Sequence, residues 1–225
     1  MEKQSLALAF GHSLTEEVSG IAGEYAELGL DAMVEDGLFK DIPIVSTAMA
    51  VYRIGKSIRE RHHIAKLISF LNEINKNVAD EDKRKQYQEK FSASEKFRNQ
   101  EMEYILILID RYIGAENPKL LARLYLGYLD GKIQWIEFTQ YAEVIDRLLP
   151  GDIYCSSNGF KYARSKMDSR QRLAALGLMR GVVKNNSEQR GSMTSTSSEL
   201  NYEMTKFGRT LLNILNPEAV EKWTL

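Results

Sequence analysis

The chain has 225 residues, of which 44% are hydrophobic and 27% are charged. This balance predicts a globular protein with one large or two small domains, and it excludes a disordered chain. The formal net charge of −1 creates no overall field toward nucleic acid or membrane, so contact with either must come from a local patch.

Two further features bear on the compartment. Cys155 is the only cysteine, so no disulfide can form within the chain, which fits a reducing environment. No apolar run approaches the roughly 20 residues that a membrane-spanning helix needs, and the N-terminus lacks the basic start of a signal peptide. We therefore expect a cytoplasmic protein.

Helix-start signals recur along the first part of the chain. Ser13 opens a capping-box pattern, which predicts a helix over about 14–34. Pro43 disfavours helical backbone in the residue before it, so a non-helical connector is expected there. Ser46 is then the predicted N-cap of a second helix that runs over about 46–75.

Four more helices are predicted from charge, apolar runs and turn residues. A solvated, highly charged helix covers 80–90. The helix over 97–113 has an apolar core on every side, which is typical of the centre of a bundle. An Asn-Pro pair begins the next helix, over 117–130, because proline is favoured in the first helical turn. The last helix covers 135–149.

Pro150-Gly151 is the predicted domain boundary, because the composition changes there toward Gly, Ser and Asn. We predict a helical bundle over 1–150 and a small α+β module over 151–225. The fold class is therefore mainly α, with strand confined largely to the second module.

The order of elements in the second module has a recognisable form. A short helix begins near Asp168 and ends at Gly177, a hairpin follows with a Ser/Thr-rich loop over 185–199, and Thr205 caps a final helix. The two predicted strands are 178–184 and 200–205. This order resembles the last helix, wing and closing helix of winged-helix domains, which implies a winged-helix-like module.

Basic residues are concentrated in this module and can neutralise phosphates. The candidate DNA- or partner-binding residues are Lys161, Arg164, Lys166, Arg170, Gln171, Lys184 and Arg190. Arg170 and Gln171 fall in the first turn of the helix, where side chains reach base edges. Three interpretations remain open: contact with DNA, contact with a protein partner, and a solvated basic face.

A second candidate surface lies in the first module, over 37–66. An apolar stretch is followed there by a basic amphipathic one, a composition found in helices that lie on membranes. Its candidate membrane or partner residues are Arg53, Lys56, Arg59 and Arg61. The competing interpretation is that the apolar residues face the core of the bundle.

No catalytic, cofactor or metal site is predicted. The adjacent His62 and His63 point to different sides of a helix and are poor zinc ligands, so we expect them at a surface or interface. The stretch after Asp130 is similar to the second half of an EF-hand loop, but the first acidic positions are missing and calcium binding is not expected. Phosphate loops and nucleophile elbows are absent. An enzyme is therefore not expected.

Two stretches carry a resemblance to known proteins. Residues 37–71, which include Arg-Glu-Arg-His-His-Ile-Ala-Lys-Leu-Ile-Ser-Phe-Leu, resemble the opening of a group of small uncharacterised bacterial proteins. The Tyr-Glu-Met-Thr-Lys-Phe-Gly-Arg stretch at 202–209 is similar to the end of the abortive-infection alpha family. The resemblance implies a bacterial origin and a role in phage defence, and it brings no catalytic residues.

These observations lead to two hypotheses. The first is a non-enzymatic bacterial binding protein whose winged-helix-like module contacts DNA or a protein partner. The alternative is a membrane-perturbing effector of the abortive-infection type that uses residues 37–66. The sequence leaves the oligomeric state open.

Overall fold

The computed structural model describes residues 5–15, 42–52, 58–78, 81–113, 116–149, 152, 167–190 and 193–215. The chain divides into two compact units, Met1–Asp146 and Arg147–Leu225, called the N-terminal unit and the C-terminal unit below. Within the described residues there are nine helices and one two-stranded antiparallel sheet. The prediction that the fold is mainly α, with a small amount of strand, is confirmed.

Seven helices are found in the described residues of the N-terminal unit. They are α1 Leu6–Thr15, α2 Pro43–Tyr52, α3 Ile58–Asn77, α4 Glu81–Ala93, α5 Glu95–Arg111, α6 Asn117–Leu129 and α7 Trp135–Arg147. The longest of them, α3, packs along α6, and α1 lies against α2, α4 and α5. Across the described parts of both units, no helix combines the length and the apolar character needed to cross a membrane.

Aromatic rings fill the centre of the N-terminal unit. The ring centroid of Phe10 lies 5.2 Å from that of Phe91 and 6.0 Å from that of Tyr125. Tyr125 lies 5.7 Å from Phe138, which stacks on Trp135 at 4.8 Å. Such ring pairs add attraction beyond the burial of apolar area. This aromatic cluster joins α1, α4, α6 and α7 in one core.

A carboxylate is buried beside these rings. Glu101 of α5 is 1% exposed, and its oxygens accept hydrogen bonds from Arg98 at 2.5 Å, from Tyr128 at 2.6 Å and from Tyr125 at 3.4 Å. Burial, together with the Glu101 carboxylate, raises the pKa of both tyrosines, so both remain hydrogen-bond donors. The Glu101 network therefore links α5 to α6.

Two predicted helix starts are wrong. Ser13 lies inside α1, where its hydroxyl donates to the Ala9 carbonyl and accepts from the Ile44 N–H at 3.2 Å. Ser46 lies inside α2, which begins at Pro43, and its hydroxyl donates to the Pro43 carbonyl. Serine hydroxyls bond backbone carbonyls one turn back as readily as they cap, and proline suits the first helical turn.

The remaining helix predictions for this unit are largely confirmed. The turn after α6 contains Gly131 with a φ of +74°, the left-handed conformation that glycine tolerates. The helix α5 is less enclosed than predicted, because Ile107 is 55% exposed and one face of the helix meets solvent. Most of the helix predicted over 14–34 lies outside the described residues.

The described C-terminal unit consists of a helix, a hairpin and a second helix. They are α8 Met167–Ala175, β1 Met179–Arg190, β2 Met193–Met204 and α9 Lys206–Leu215. The strands are antiparallel, with Met179 opposite Met204 and Arg190 opposite Met193. The prediction of a loop over 185–199 is wrong. Residues 185–190 continue β1 and residues 193–199 belong to β2. Ladder pairing with the opposite strand outweighs their polar composition.

Local turn chemistry is confirmed at both ends of the hairpin. Gly177 follows α8 with a φ of +75°. The Thr205 hydroxyl accepts the Gly208 N–H at 3.0 Å and so caps α9. α9 also lies very close to the start of the hairpin, since a Cβ added to Gly208 would stand 2.2 Å from the Leu178 carbonyl oxygen.

Candidate functional site

The helix α8 carries two of the predicted contact residues. Gln171 is exposed and Arg170 is half-buried. The predicted basic residues that precede this helix lie outside the described residues. They are Lys161, Arg164 and Lys166. Arg170 and Gln171 therefore lie on one helix. That the three basic residues before the helix share a surface with them stays a prediction.

The second basic residue of α8, Arg172, is engaged within the unit. Its guanidinium donates to the Asp152 carboxylate at 2.9 and 3.2 Å and to the Ser169 hydroxyl at 3.1 Å. The Asp152 side chain is completely buried and also accepts the Leu149 N–H at 3.3 Å. Such two-point pairs fix geometry as well as charge. Arg172 thus anchors α8 and belongs to the scaffold of the unit.

The charges of the hairpin are largely compensated. Arg180 lies 3.3 Å from the Glu203 carboxylate, and the register places Glu199 opposite Lys184. Arg180 and Lys184 are four residues apart on β1 and share one face of the hairpin, because side chains alternate along a strand. This face therefore combines cations with carboxylates along the paired strands.

The two units differ strongly in charge. The C-terminal unit contains twelve Lys and Arg against seven Asp and Glu, a formal net charge of +5. The N-terminal unit contains eighteen against twenty-four, a formal net charge of −6. The near-neutral net charge of the chain is therefore the sum of an acidic and a basic unit. The basic unit attracts an anionic partner over about one Debye length, about 8–10 Å at moderate salt.

The second predicted surface, in the N-terminal unit, is described in part. Arg53 and Lys56 lie outside the described residues, as does the side chain of Arg61. Arg59 is exposed and donates to the Asp110 carboxylate at 2.8 Å. The apolar residues of 37–66 whose side chains are described are buried: Ile42, Ile44, Val45, Ile64 and Ala65. For these residues the core interpretation holds.

Part of the same basic run is buried against the end of α5. The Lys66 ammonium donates to the carbonyls of Asp110 and Tyr112 at 2.8 and 2.7 Å. The last carbonyls of a helix lack helical partners and attract cations, so Lys66 caps α5. His63 is buried beside it, with Nδ1 3.4 Å from the Asp110 carboxylate. The prediction of a surface histidine is therefore wrong for His63, whereas His62 is exposed.

Burial shifts the titration of this cluster. It lowers the pKa of His63 below its ordinary 6.5; the Asp110 carboxylate opposes this effect, and the charges of Lys66 and Arg59 add to it. Below pH 6.5 the unfolded chain therefore binds the His63 proton more readily than the folded protein does. The stability contributed by neutral His63 is present above this pH and is lost as the pH falls toward the folded-state pKa.

We expect His63→Gln to flatten the loss of stability on mild acidification. The unfolding free energy of the original protein should fall between neutral pH and pH 5, and that of the variant should fall less, because it has no buried imidazole to protonate. Urea denaturation across this range measures the effect. His62→Gln, which changes the exposed neighbour, is the control, and identical curves for all three proteins would contradict the assignment.

Among the described residues, no group of three His, Cys, Asp or Glu side chains could hold a metal ion. The corner between α6 and α7, which is the stretch similar to half of an EF-hand loop, is held by contacts between protein side chains and backbone. Asp130 accepts a hydrogen bond from Tyr87 at 2.5 Å and pairs with Lys132 at 3.3 Å. Glu137 accepts the Gln134 N–H at 2.8 Å at the start of α7. These contacts account for the acidic residues there.

Comparison of the chain with protein-family models, with curated proteins and with solved structures finds no match. The features that bear on function are therefore the charge of the C-terminal unit, the exposed Gln171 in the middle of α8, and the contacts that hold Arg172 within the unit.

Proposed function

We propose that the protein is a non-enzymatic bacterial DNA-binding protein whose C-terminal unit is a winged-helix-like module. The observation that most supports this function is the net charge of +5 on a unit of 79 residues within an otherwise acidic chain. Phosphate neutralisation by Lys and Arg supplies most of the affinity of DNA-binding modules. The helix–hairpin–helix order resembles the last helix, wing and closing helix of winged-helix domains.

The positions of the basic residues in the fold indicate which of them would meet DNA. Arg170 and Gln171 stand in the first half of α8, the position from which helix side chains reach base edges. Lys161, Arg164 and Lys166 precede this helix and would contact phosphates. Of the wing residues, Lys184 has Glu199 opposite it and would contribute less than Arg190.

Salt dependence of DNA binding tests the proposal. An electrophoretic mobility-shift series at several salt concentrations compares the original protein with a double variant, Arg170→Glu and Arg190→Glu. Loss of the base-edge contact of Arg170 should lower the affinity for the preferred sequence, and loss of a phosphate contact of Arg190 should lower the slope of log affinity against log salt by about 1. The matched control changes two exposed lysines of the N-terminal unit, Lys83→Glu and Lys96→Glu, and should leave the slope nearly unchanged.

Two results would contradict the DNA assignment. Absence of any shift at low salt would exclude DNA as the partner. Equal weakening in the two double variants would indicate diffuse attraction between charges without a defined site. Contact with a protein partner and a solvated basic face would then be the two remaining interpretations for the C-terminal unit.

The alternative function, membrane contact through 37–66, can be examined on the same preparations. Its apolar residues would have to leave the core, since those described are buried. Flotation of the protein with anionic liposomes, together with no DNA shift, would support this alternative. Phage defence is the biological setting that the abortive-infection resemblance suggests for either function.

A further inference from the structure

The outer edge of β1 is the side of this strand that faces away from β2. In the part of the chain that the structure describes, the sheet has two strands, so β1 pairs on one side only. Its register with β2 runs one-to-one from Met179 to Arg190 without a bulge, and the strand contains no proline. Proteins usually blunt a long edge with a bulge, a proline or a covering element. The edge is therefore suited to accept a further strand.

The charges of β1 all stand at even-numbered positions, which share one face of the strand because side chains alternate. They are Arg180, Lys184, Glu188 and Arg190. Within the hairpin the register places Glu199 opposite Lys184, whereas the residue opposite Glu188 is the uncharged Ser195. A lysine at a sheet edge normally discourages pairing with another chain. A carboxylate four residues further along the same face makes the edge selective for a strand of matching charge.

A second β1 matches this edge when the two strands run antiparallel about a two-fold axis. Directly opposite residues of paired strands share a face, so the axis passes through one residue, which pairs with its own copy. With the axis at Asn186, Lys184 of each copy stands opposite Glu188 of the partner copy, which gives two pairs of opposite charge. No other axis over 182–188 brings opposite charges together without also bringing like charges together. The edge of β1 is therefore self-complementary in one register.

The other pairs of this register are compatible as well. Asn185 stands opposite Ser187 of the partner copy, and both residue types form hydrogen bonds without carrying a charge. Asn186 lies seven residues beyond Met179, the first residue of β1, a distance of roughly 23 Å at the usual rise of a strand. The first residues of the two β1 strands therefore lie far apart, on opposite sides of the axis, so α8 and α9 of the two copies do not collide.

We propose that the outer edge of β1 is the contact between two copies of the chain, which join their hairpins into one four-stranded sheet. The contact is isologous, so it closes at a dimer. Pairing of β1 with β2 of the partner copy would leave a free edge on each copy and would not close. Two β2 strands bring no opposite charges together, because the only charged residues of β2 are Glu199 and Glu203. Two-stranded hairpins are marginally stable in water, and additional strands stabilise them. This inference does not depend on the proposed DNA binding.

Sedimentation velocity of two single variants, alone and mixed, tests the charge pairs. The original protein should sediment at high concentration with twice the chain mass of 25.7 kDa. Lys184→Glu and Glu188→Lys each set like charges opposite each other at both pairs, and each should weaken dimerisation about tenfold or more. An equimolar mixture of the two variants restores opposite charges at both pairs and should dimerise nearly as well as the original. Lys206→Glu, at an exposed position at the start of α9, is the control and should remain dimeric.

A disulfide across the axis tests the register itself. The Cα atoms of directly opposite residues are about 4.5–5.5 Å apart, which a disulfide can span. Asn186→Cys, in a protein that also has Cys155→Ser, should therefore give a covalent dimer on oxidation. Asn185→Cys in the same background is the control. Its own copy is a diagonal neighbour at about 7–8 Å, beyond the reach of a disulfide without backbone movement.

Circular dichroism establishes that each variant is folded. A monomer at every concentration, a mixture that dimerises no better than its components, or equal linking at positions 185 and 186 would each overturn the proposal. If a charge variant loses the strand signal, the disulfide comparison decides, since it changes no charged residue. A monomeric protein that still shifts DNA would contradict only the dimer, and a dimer that does not shift DNA would contradict only the DNA binding.

Discussion

Replacing Glu101 by alanine is expected to lower the unfolding free energy of the N-terminal unit by about 3–5 kcal/mol, the usual cost of removing one partner from a buried ion pair. The Glu101 carboxylate is the shared acceptor for Arg98, Tyr125 and Tyr128. Without it, the Arg98 guanidinium, which is only 15% exposed, loses its carboxylate partner, and the fully enclosed Tyr125 hydroxyl loses its acceptor. Urea unfolding followed by circular dichroism measures the change.

Two further variants of the same helix separate charge from hydrogen bonding. Glu101→Gln keeps an oxygen acceptor but loses the charge, so its cost should lie between those of the original protein and the alanine variant. Glu103→Ala changes an exposed position of α5 and should remain within about 0.5 kcal/mol of the original. Equal effects at Glu101 and Glu103 would show that the Glu101 network contributes nothing specific.

The second large effect is expected at Gly208, where the chain needs a residue without a Cβ. An added methyl group would stand 2.2 Å from the Leu178 carbonyl oxygen and 2.7 Å from the Met204 sulfur. The carbonyl belongs to the backbone and cannot rotate away like the end of a side chain. Gly208→Ala should therefore destabilise the C-terminal unit by about 3 kcal/mol, the upper end of the range for overpacking.

A helix glycine elsewhere provides the matched control. Gly11 lies within α1, and a Cβ there would meet only the Phe91 Cβ at 3.8 Å, an ordinary contact. Gly11→Ala should stabilise the N-terminal unit by about 0.5–1 kcal/mol, because alanine loses less backbone entropy in a helix. The change from glycine to alanine should thus raise the unfolding free energy at position 11 and lower it at position 208. Stabilisation at Gly208 would refute the close approach of α9 to Leu178.

The features that could be predicted from the sequence are those that depend on neighbouring residues. The Asn117-Pro118 helix start, the glycine turns and the Thr205 cap each require a few adjacent residues, and the structure has all of them. Ser13 misled the prediction because a serine hydroxyl can serve a cap or a mid-helix carbonyl equally well. Adjacent residues alone cannot decide between these roles.

The features that could not be predicted depend on residues far apart in the chain. Lys66 meets carbonyls 44 and 46 residues away, and Arg172 meets Asp152 across 20 residues, so neither partner leaves a periodic signal. The strands through 185–199 were missed because their pairing, more than their composition, holds them extended. The charge difference between the units is an exception, because it follows from counting charged residues on either side of the boundary predicted at Pro150-Gly151.

The aromatic cluster gives the N-terminal unit an optical reporter of its own. Trp135 stacks on Phe138 and meets the rings of Tyr104 and Tyr128 at 5.8 and 5.3 Å. The chain has two tryptophans, and the other, Trp223, belongs to the C-terminal unit. Indole fluorescence of a Trp223→Phe protein therefore comes from the N-terminal unit alone, so the melting of this unit can be followed by itself.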